Sequence, residues 1–125
     1  MQRPPLIEAN SELAFAELNG KANQLARYLQ RQGVGPDTIV ALMIERSIEM
    51  VVGLLGVLKA GAAYVPCDPA YPQERLAFML EDSEARVLVT EQHLFAKLKG
   101  RAAQRVVCID DDWHRIIYES TENLD

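Results

Sequence analysis

Four short apolar runs, each closed by a carboxylate, recur along the chain and limit its fold more than any other feature. They occupy residues 39–45, 62–68, 85–91 and 105–110, and end on Glu45, Asp68, Glu91 and Asp110. Each is β-branched or aromatic and nearly continuous in apolar character. Continuous runs, in contrast to alternating ones, mark strands covered on both faces, as parallel sheets require. The starts at 39, 62, 85 and 105 are 23, 23 and 20 residues apart. Parallel neighbours need a crossover of about a dozen residues or more, and these intervals leave room for a helix each time. The expectation is β-α-β-α-β-α-β to about residue 112, with right-handed crossovers.

The intervening helices are legible. Ser47 is placed to cap a helix running to Lys59, with Gly61 as its left-handed end. Ile48, Val51, Val52, Leu54, Leu55, Val57 and Leu58 leave that helix little polar face. Gly53 and Gly56 each cost a helix about 1 kcal/mol against Ala, and close packing on a strand is the expected reason for them. Pro72 suits the first turn of the next helix, which runs through Arg75 and Leu80. A shorter helix is expected over 93–99, stopped by Gly100. Ahead of the first strand, Phe15, Leu18, Ala22, Leu25, Ala26 and Leu29 recur at helical spacing. They predict an amphipathic helix over about 15–32, closed by Gly33-Val34-Gly35-Pro36-Asp37. The fold class is α/β, an open and mainly parallel sheet with flanking helices, in one unit over 1–125 with a short tail.

Composition narrows the partners. With 125 residues, 49% of them hydrophobic, the chain is long enough for one domain with a core. Thirteen Lys and Arg against eighteen Asp and Glu give a net charge of -5. That balance repels phosphate backbones and anionic lipid, so neither nucleic acid nor a membrane surface is expected as a partner. The longest apolar run, 50–58, falls well short of the roughly 20 residues a membrane helix needs. Met1 to Pro5 lacks a signal-peptide core. Two cysteines, Cys67 and Cys108, build no disulfide framework and read as reduced small hydrophobes of a cytoplasmic protein.

The residues themselves name no chemistry. In an open parallel sheet ligands bind beyond the carboxyl ends of the strands, where Glu45, Asp68, Glu91 and Asp110 fall. A phosphate-accepting receiver domain holds a metal there, but it also wants a Lys at a later strand end. Here Thr90 is present and no strand ends in Lys. The plainer reading has these acids capping the next helices. Asp110-Asp111-Asp112-Trp113-His114 near Cys108 mixes hard acids with a soft thiol at no metal-ligand spacing, and reads as a solvated turn into a helix. His93 has no acid or nucleophile at a telling distance in sequence. Gly33-Val34-Gly35 precedes a strand, whereas a dinucleotide loop follows one. No residue is therefore assigned as catalytic, cofactor-binding or metal-ligating.

One stretch is far more distinctive. Leu58-Lys59-Ala60-Gly61-Ala62-Ala63-Tyr64-Val65-Pro66-Cys67-Asp68-Pro69-Ala70-Tyr71-Pro72-Gln73-Glu74-Arg75 closely resembles the second core motif of the adenylation domains of nonribosomal peptide synthetases. Leu13-Ala14-Phe15-Ala16-Glu17-Leu18-Asn19 is similar to the first core motif, and Ala22-Asn23-Gln24-Leu25-Ala26 continues the likeness. The resemblance runs from about Pro4 to the end and weakens after Glu91. It implies a parent that activates an amino acid with ATP and Mg²⁺ as an aminoacyl adenylate, then passes it to a phosphopantetheine carrier. In that family the phosphate loop, nucleotide site, substrate pocket and catalytic lysine all lie downstream of these two motifs. The chain is thus expected to be an N-terminal scaffold fragment of such a domain, without cofactor of its own and inactive in isolation. Its expected partners are the remainder of the adenylation domain, neighbouring synthetase domains, and a second copy through an exposed sheet edge. The alternative is a standalone α/β interaction or regulatory module.

Two departures from the family pattern are physical. Ala14 and Phe15 stand where the family has Thr or Ser, then Tyr. A Thr at 14 with Glu17 would form a capping box, so Ala14→Thr is expected to stabilise the fold. Cys67 stands where the family prefers Ile or Leu, a change of core volume. Pro66, Pro69 and Pro72 stiffen the strand exit, and Arg75 is expected to pair with Asp68 there.

Overall fold

The computed structural model describes residues 11–102 and 104–124, apart from the side chains of 11–13. The stretch Met1 to Pro5 and the side chain of Leu13 lie outside the described residues. In chain order the elements are α1 (Ser11–Arg31), β1 (Ile39–Met43), α2 (Ile48–Lys59), β2 (Ala63–Pro66), α3 (Gln73–Asp82), β3 (Val87–Thr90), α4 (Gln92–Ala96), β4 (Arg105–Cys108) and α5 (Trp113–Ile116). The strands form one sheet in the order β2-β1-β3-β4, and every adjacent pair is parallel. All four expected strands are present, with a helix in each crossover.

Because side chains alternate along a strand, the sheet feeds two cores. Val40, Leu42 and Ile44 join Val87, Val89 and Val107 against Leu25 and Leu29 of α1 and Val52 and Val57 of α2. Ala41, Met43 and Leu88 face the other way, onto Leu76 and Leu80 of α3 and Leu94 of α4. Strands β1 and β3 are covered on both faces, as their continuous runs predict.

Strand β2 departs from that expectation: Ala63, Tyr64 and Pro66 are exposed and Val65 is half-buried. It is an edge strand, so its apolar character does not report cover on two faces. The Ala63 amide donates to the Thr38 carbonyl at 3.1 Å and the Cys67 amide to Leu42 at 2.8 Å. By alternation Tyr64 and Pro66 turn their backbone outward, and Pro66 has no N–H to offer there.

Helix α1 is already formed at Ser11, the first described residue, ahead of the expected position, and this removes the basis of the capping box. Position 14 lies in the first turn, where Ala is the best helix former and Thr loses roughly 0.5 kcal/mol. Ser47 flanks α2 in extended conformation without capping it, and its hydroxyl donates to the Glu45 carbonyl at 3.0 Å. The far end of α2 closes as expected. Gly61 has φ +93°, its amide reaches Leu58 at 3.0 Å, and the Ala62 amide reaches Val57 at 3.2 Å. That pair of bonds is the Schellman arrangement, which wants glycine in the left-handed position.

The two glycines within α2 have different neighbours. A Cβ on Gly53 would meet the tip of Ile44 at 3.0 Å, just past β1. A Cβ on Gly56 would lie 2.7–3.1 Å from Leu25, so its close partner is helix α1 and not a strand. Pro72 immediately precedes α3, and α4 is shorter than expected, its turns continuing to Gly100 at φ +79°. Beyond α5, residues 117–124 form neither helix nor strand and run along α1.

Candidate functional site: the carboxyl edge of the sheet

The loops leaving β1 and β2 enclose a hollow of about 660 Å³, lined among others by Glu45, Arg46, Cys67, Asp68, Tyr71 and Lys97. This is where an open parallel sheet places ligands. What the strand-closing acids do there is visible in their hydrogen bonds. Asp68 Oδ1 accepts the Ala70 amide at 2.9 Å, and the Tyr71 amide donates to the Asp68 carbonyl at 3.0 Å, closing the turn after β2. Glu91 Oε1 accepts the Glu45 amide at 3.0 Å, from the loop of the adjacent strand. Asp110 Oδ1 accepts the Gln92 amide at 3.1 Å, at the start of α4. Asp112 Oδ2 accepts the Cys108 amide at 2.8 Å. The acids therefore fasten turns, and two of them stitch neighbouring loops together instead of capping their own following helix.

His93, unremarkable in sequence, lies 3.1 Å from Glu45 Oε1 through its Nε2. With Glu91 these three offer ligand atoms within 4.8 Å of one another, the group best placed to hold a metal ion among the described residues. Asp68 and Asp110 stand outside it, so the carboxyl ends do not assemble a receiver's acidic cluster. The side chains of His93 and Glu45 are 54% and 59% exposed, and Glu91 already serves the Glu45 amide. The trio ties the β1 and β3 exits together.

Arg75 does not pair with Asp68. Its guanidinium lies over the Tyr71 ring, 4.2 Å from the centroid, which packs the motif's tyrosine and arginine against each other at the start of α3. Cys67 and Cys108 are free and buried, as expected. Burial raises the Cys67 thiol pKa. Burial first, then the charges of Asp112, Asp110 and Asp111, push Cys108 up to about 11. Neither thiol is set up as a nucleophile, which requires a lowered value.

A phosphate cradle needs backbone amides in a glycine-rich turn at a strand's carboxyl end. Here the glycines with positive φ, Gly33, Gly61 and Gly100, all precede strands. Residues 44–47, 67–72, 91 and 109–112, which follow strands, contain no glycine. The described residues do not fit ATP with Mg²⁺.

Comparison with known proteins decides the kinship. Residues 1–124 match the family described as AMP-binding enzyme. The chain belongs to that family. A linear gramicidin synthase of Brevibacillus parabrevis is 52% identical over 119 residues, 95% of this chain but 2% of the synthase. Gramicidin S synthase 2 of Brevibacillus brevis is 45% identical over 96% of this chain and 3% of its own length. Among solved structures, the nonribosomal peptide synthetase FmoA3 (S1046A) in its α-methyl-L-serine-AMP bound form superposes with TM-score 0.80 at 32% identity. That match covers 89% of this chain and 12% of FmoA3. The chain thus bears out the expected likeness to the N-terminal part of adenylation domains, and it spans a small share of the relatives it matches.

Proposed function

We propose that the chain is the N-terminal scaffold of an ATP-dependent amino-acid-activating domain of a nonribosomal peptide synthetase. The observation that carries this reading is the 58–75 motif. Its residues build the Gly61 helix end, β2, the Asp68 turn and the Tyr71–Arg75 stack, which is scaffold work. The likeness to FmoA3 with its aminoacyl adenylate supports the same assignment. ATP, Mg²⁺ and the phosphopantetheine acceptor belong to the parent reaction. This chain's contribution is a two-core platform with stitched βα loops, on which the rest of the domain and its neighbours are held.

The test has two arms. The 125-residue chain alone is expected to give no amino-acid-dependent ATP–pyrophosphate exchange. Exchange by this piece would overturn the placement of the active site elsewhere. Second, the chain is substituted for its counterpart in the matching domain of gramicidin S synthase 2. The chimera is expected to keep the host's exchange activity and amino-acid preference. A folded chimera without exchange would defeat the scaffold reading and favour a standalone interaction module.

A further inference from the structure

Segment 117–124 has no ladder of its own, and where its backbone carbonyls lie against the protein they need partners in place of water. Helix α1 supplies them. Asn19, Asn23, Arg27 and Arg31 recur every four residues, so they stand in one row along the helix, with Gly20 and Gln24 beside it. Gln24 Nε2 donates to the Ile117 carbonyl at 3.0 Å and to Glu119 at 3.2 Å. Asn23 Nδ2 donates to Thr121 at 2.8 Å, and Arg27 to Glu122 at 3.0 Å and Asn123 at 3.1 Å. The Asn123 side chain accepts from Asn19 and Asn23, and Glu119 pairs with Arg31.

Two further features show that α1 is built for this contact. Asn23 is fully buried and Gln24 is 7% exposed, so their Nδ2 and Nε2 groups lose hydration and donate to 117–124 in its place, while Asn23 Oδ1 has no partner among the described residues. Gly20, inside the helix, carries no side chain where Thr121 comes in; a Cβ there would meet Thr121 Cβ at 3.4 Å. Leu124 then packs against the α1–α2 core.

We propose that Asn23, Gln24 and Arg27 are positioning residues, forming a clamp on α1 that grips the main chain of 117–124. Resting on the adenylation reading above, the clamp sets the path by which an intact domain enters its phosphate-handling elements. The donations of Asn23, Gln24 and Arg27 go mainly to the main chain, while Asn123 and Glu119 are held through their side chains as well.

Two variants probe it from opposite sides. Gln24→Met keeps the side chain's bulk and removes both amide donors. Gly20→Leu strengthens the helix itself but drives a side chain into Thr121. Both are expected to raise cleavage at Glu119 and Glu122 by a glutamate-specific protease at least tenfold, with the circular dichroism spectrum unchanged. Unchanged cleavage, or cleavage of the original chain as fast as a peptide of residues 115–125, would overturn the clamp. In the gramicidin S synthase 2 chimera, Gln24→Met is expected to raise the KM for ATP severalfold and leave the amino-acid KM unchanged. A loosened segment with both KM values unchanged would overturn the positioning role. Absence of exchange in the unmutated chimera would instead indict the adenylation reading, leaving the proteolysis result standing.

Discussion

At Gly56 a single hydrogen in place of a methyl group decides how closely two helices approach. The Leu25 side chain, completely buried, already occupies the space a Cβ would take, with its Cβ, Cγ and Cδ2 within 2.7–3.1 Å. Gly56→Ala gains about 1 kcal/mol of helix propensity. Overpacking a filled core costs about 1–3 kcal/mol, and Leu25 has no open side to retreat to. A net loss of about 1 kcal/mol is expected in chemical denaturation. Gly53→Ala meets only the side-chain tips of Ile44 and Leu42, at 3.0 and 3.4 Å, so it is expected to be neutral or mildly stabilising; the reverse ranking would count against this account. The expectation of close packing on a strand holds at Gly53, which meets Leu42 and Ile44, and fails at Gly56, which meets Leu25 of α1, because helix spacing carries no record of which neighbour a face meets. The same limit hid His93 from Glu45, 48 residues away in the chain. For the His93 contact the sequence left no local trace at all.

Among the elements, β1 and β3 were legible because burial on both faces writes an unbroken apolar run. Strand β2 carries a similar run for another reason, and its edge position came only from the pairing order. Its outward edge offers the Tyr64 amide and then Pro66, a poor template for adding a strand. On the opposite edge, the outward Cys108 amide is taken by Asp112. Self-association through β2, expected of an open sheet, is therefore resisted by one residue. Pro66→Val restores the missing donor, and sedimentation velocity is expected to show more dimer than for the original chain. An unchanged distribution would mean that Pro66 does not guard this edge. That α1 is already helical at Ser11 does not show in the sequence, because Ser11 and Glu12 lie outside the apolar repeat that predicts the helix.

For the molecule as a whole, the two cores and the turn chemistry were written locally, while the closure of 117–124 on α1 links residues about a hundred positions apart and has no local pattern. Stability should also report on the buried thiols. Cys108 binds its proton more tightly when folded, up to about 11, chiefly through burial. Its contribution is thus fully present below the ordinary thiol pKa and is lost as the pH rises from there through about 11. Denaturation midpoints are expected to fall across that window, and less steeply for Cys108→Ala; equal slopes would remove Cys108 from the account. The clamp on α1 has a further consequence for how such a chain tolerates change. A grip on carbonyls is blind to vocabulary, so much of the gripped stretch is free to drift in spelling, apart from Glu119, Thr121, Asn123 and Leu124, whose side chains touch α1 or the core. The burden of fidelity falls on the helix, where Asn23 and Gln24 have no synonyms that keep both shape and donors.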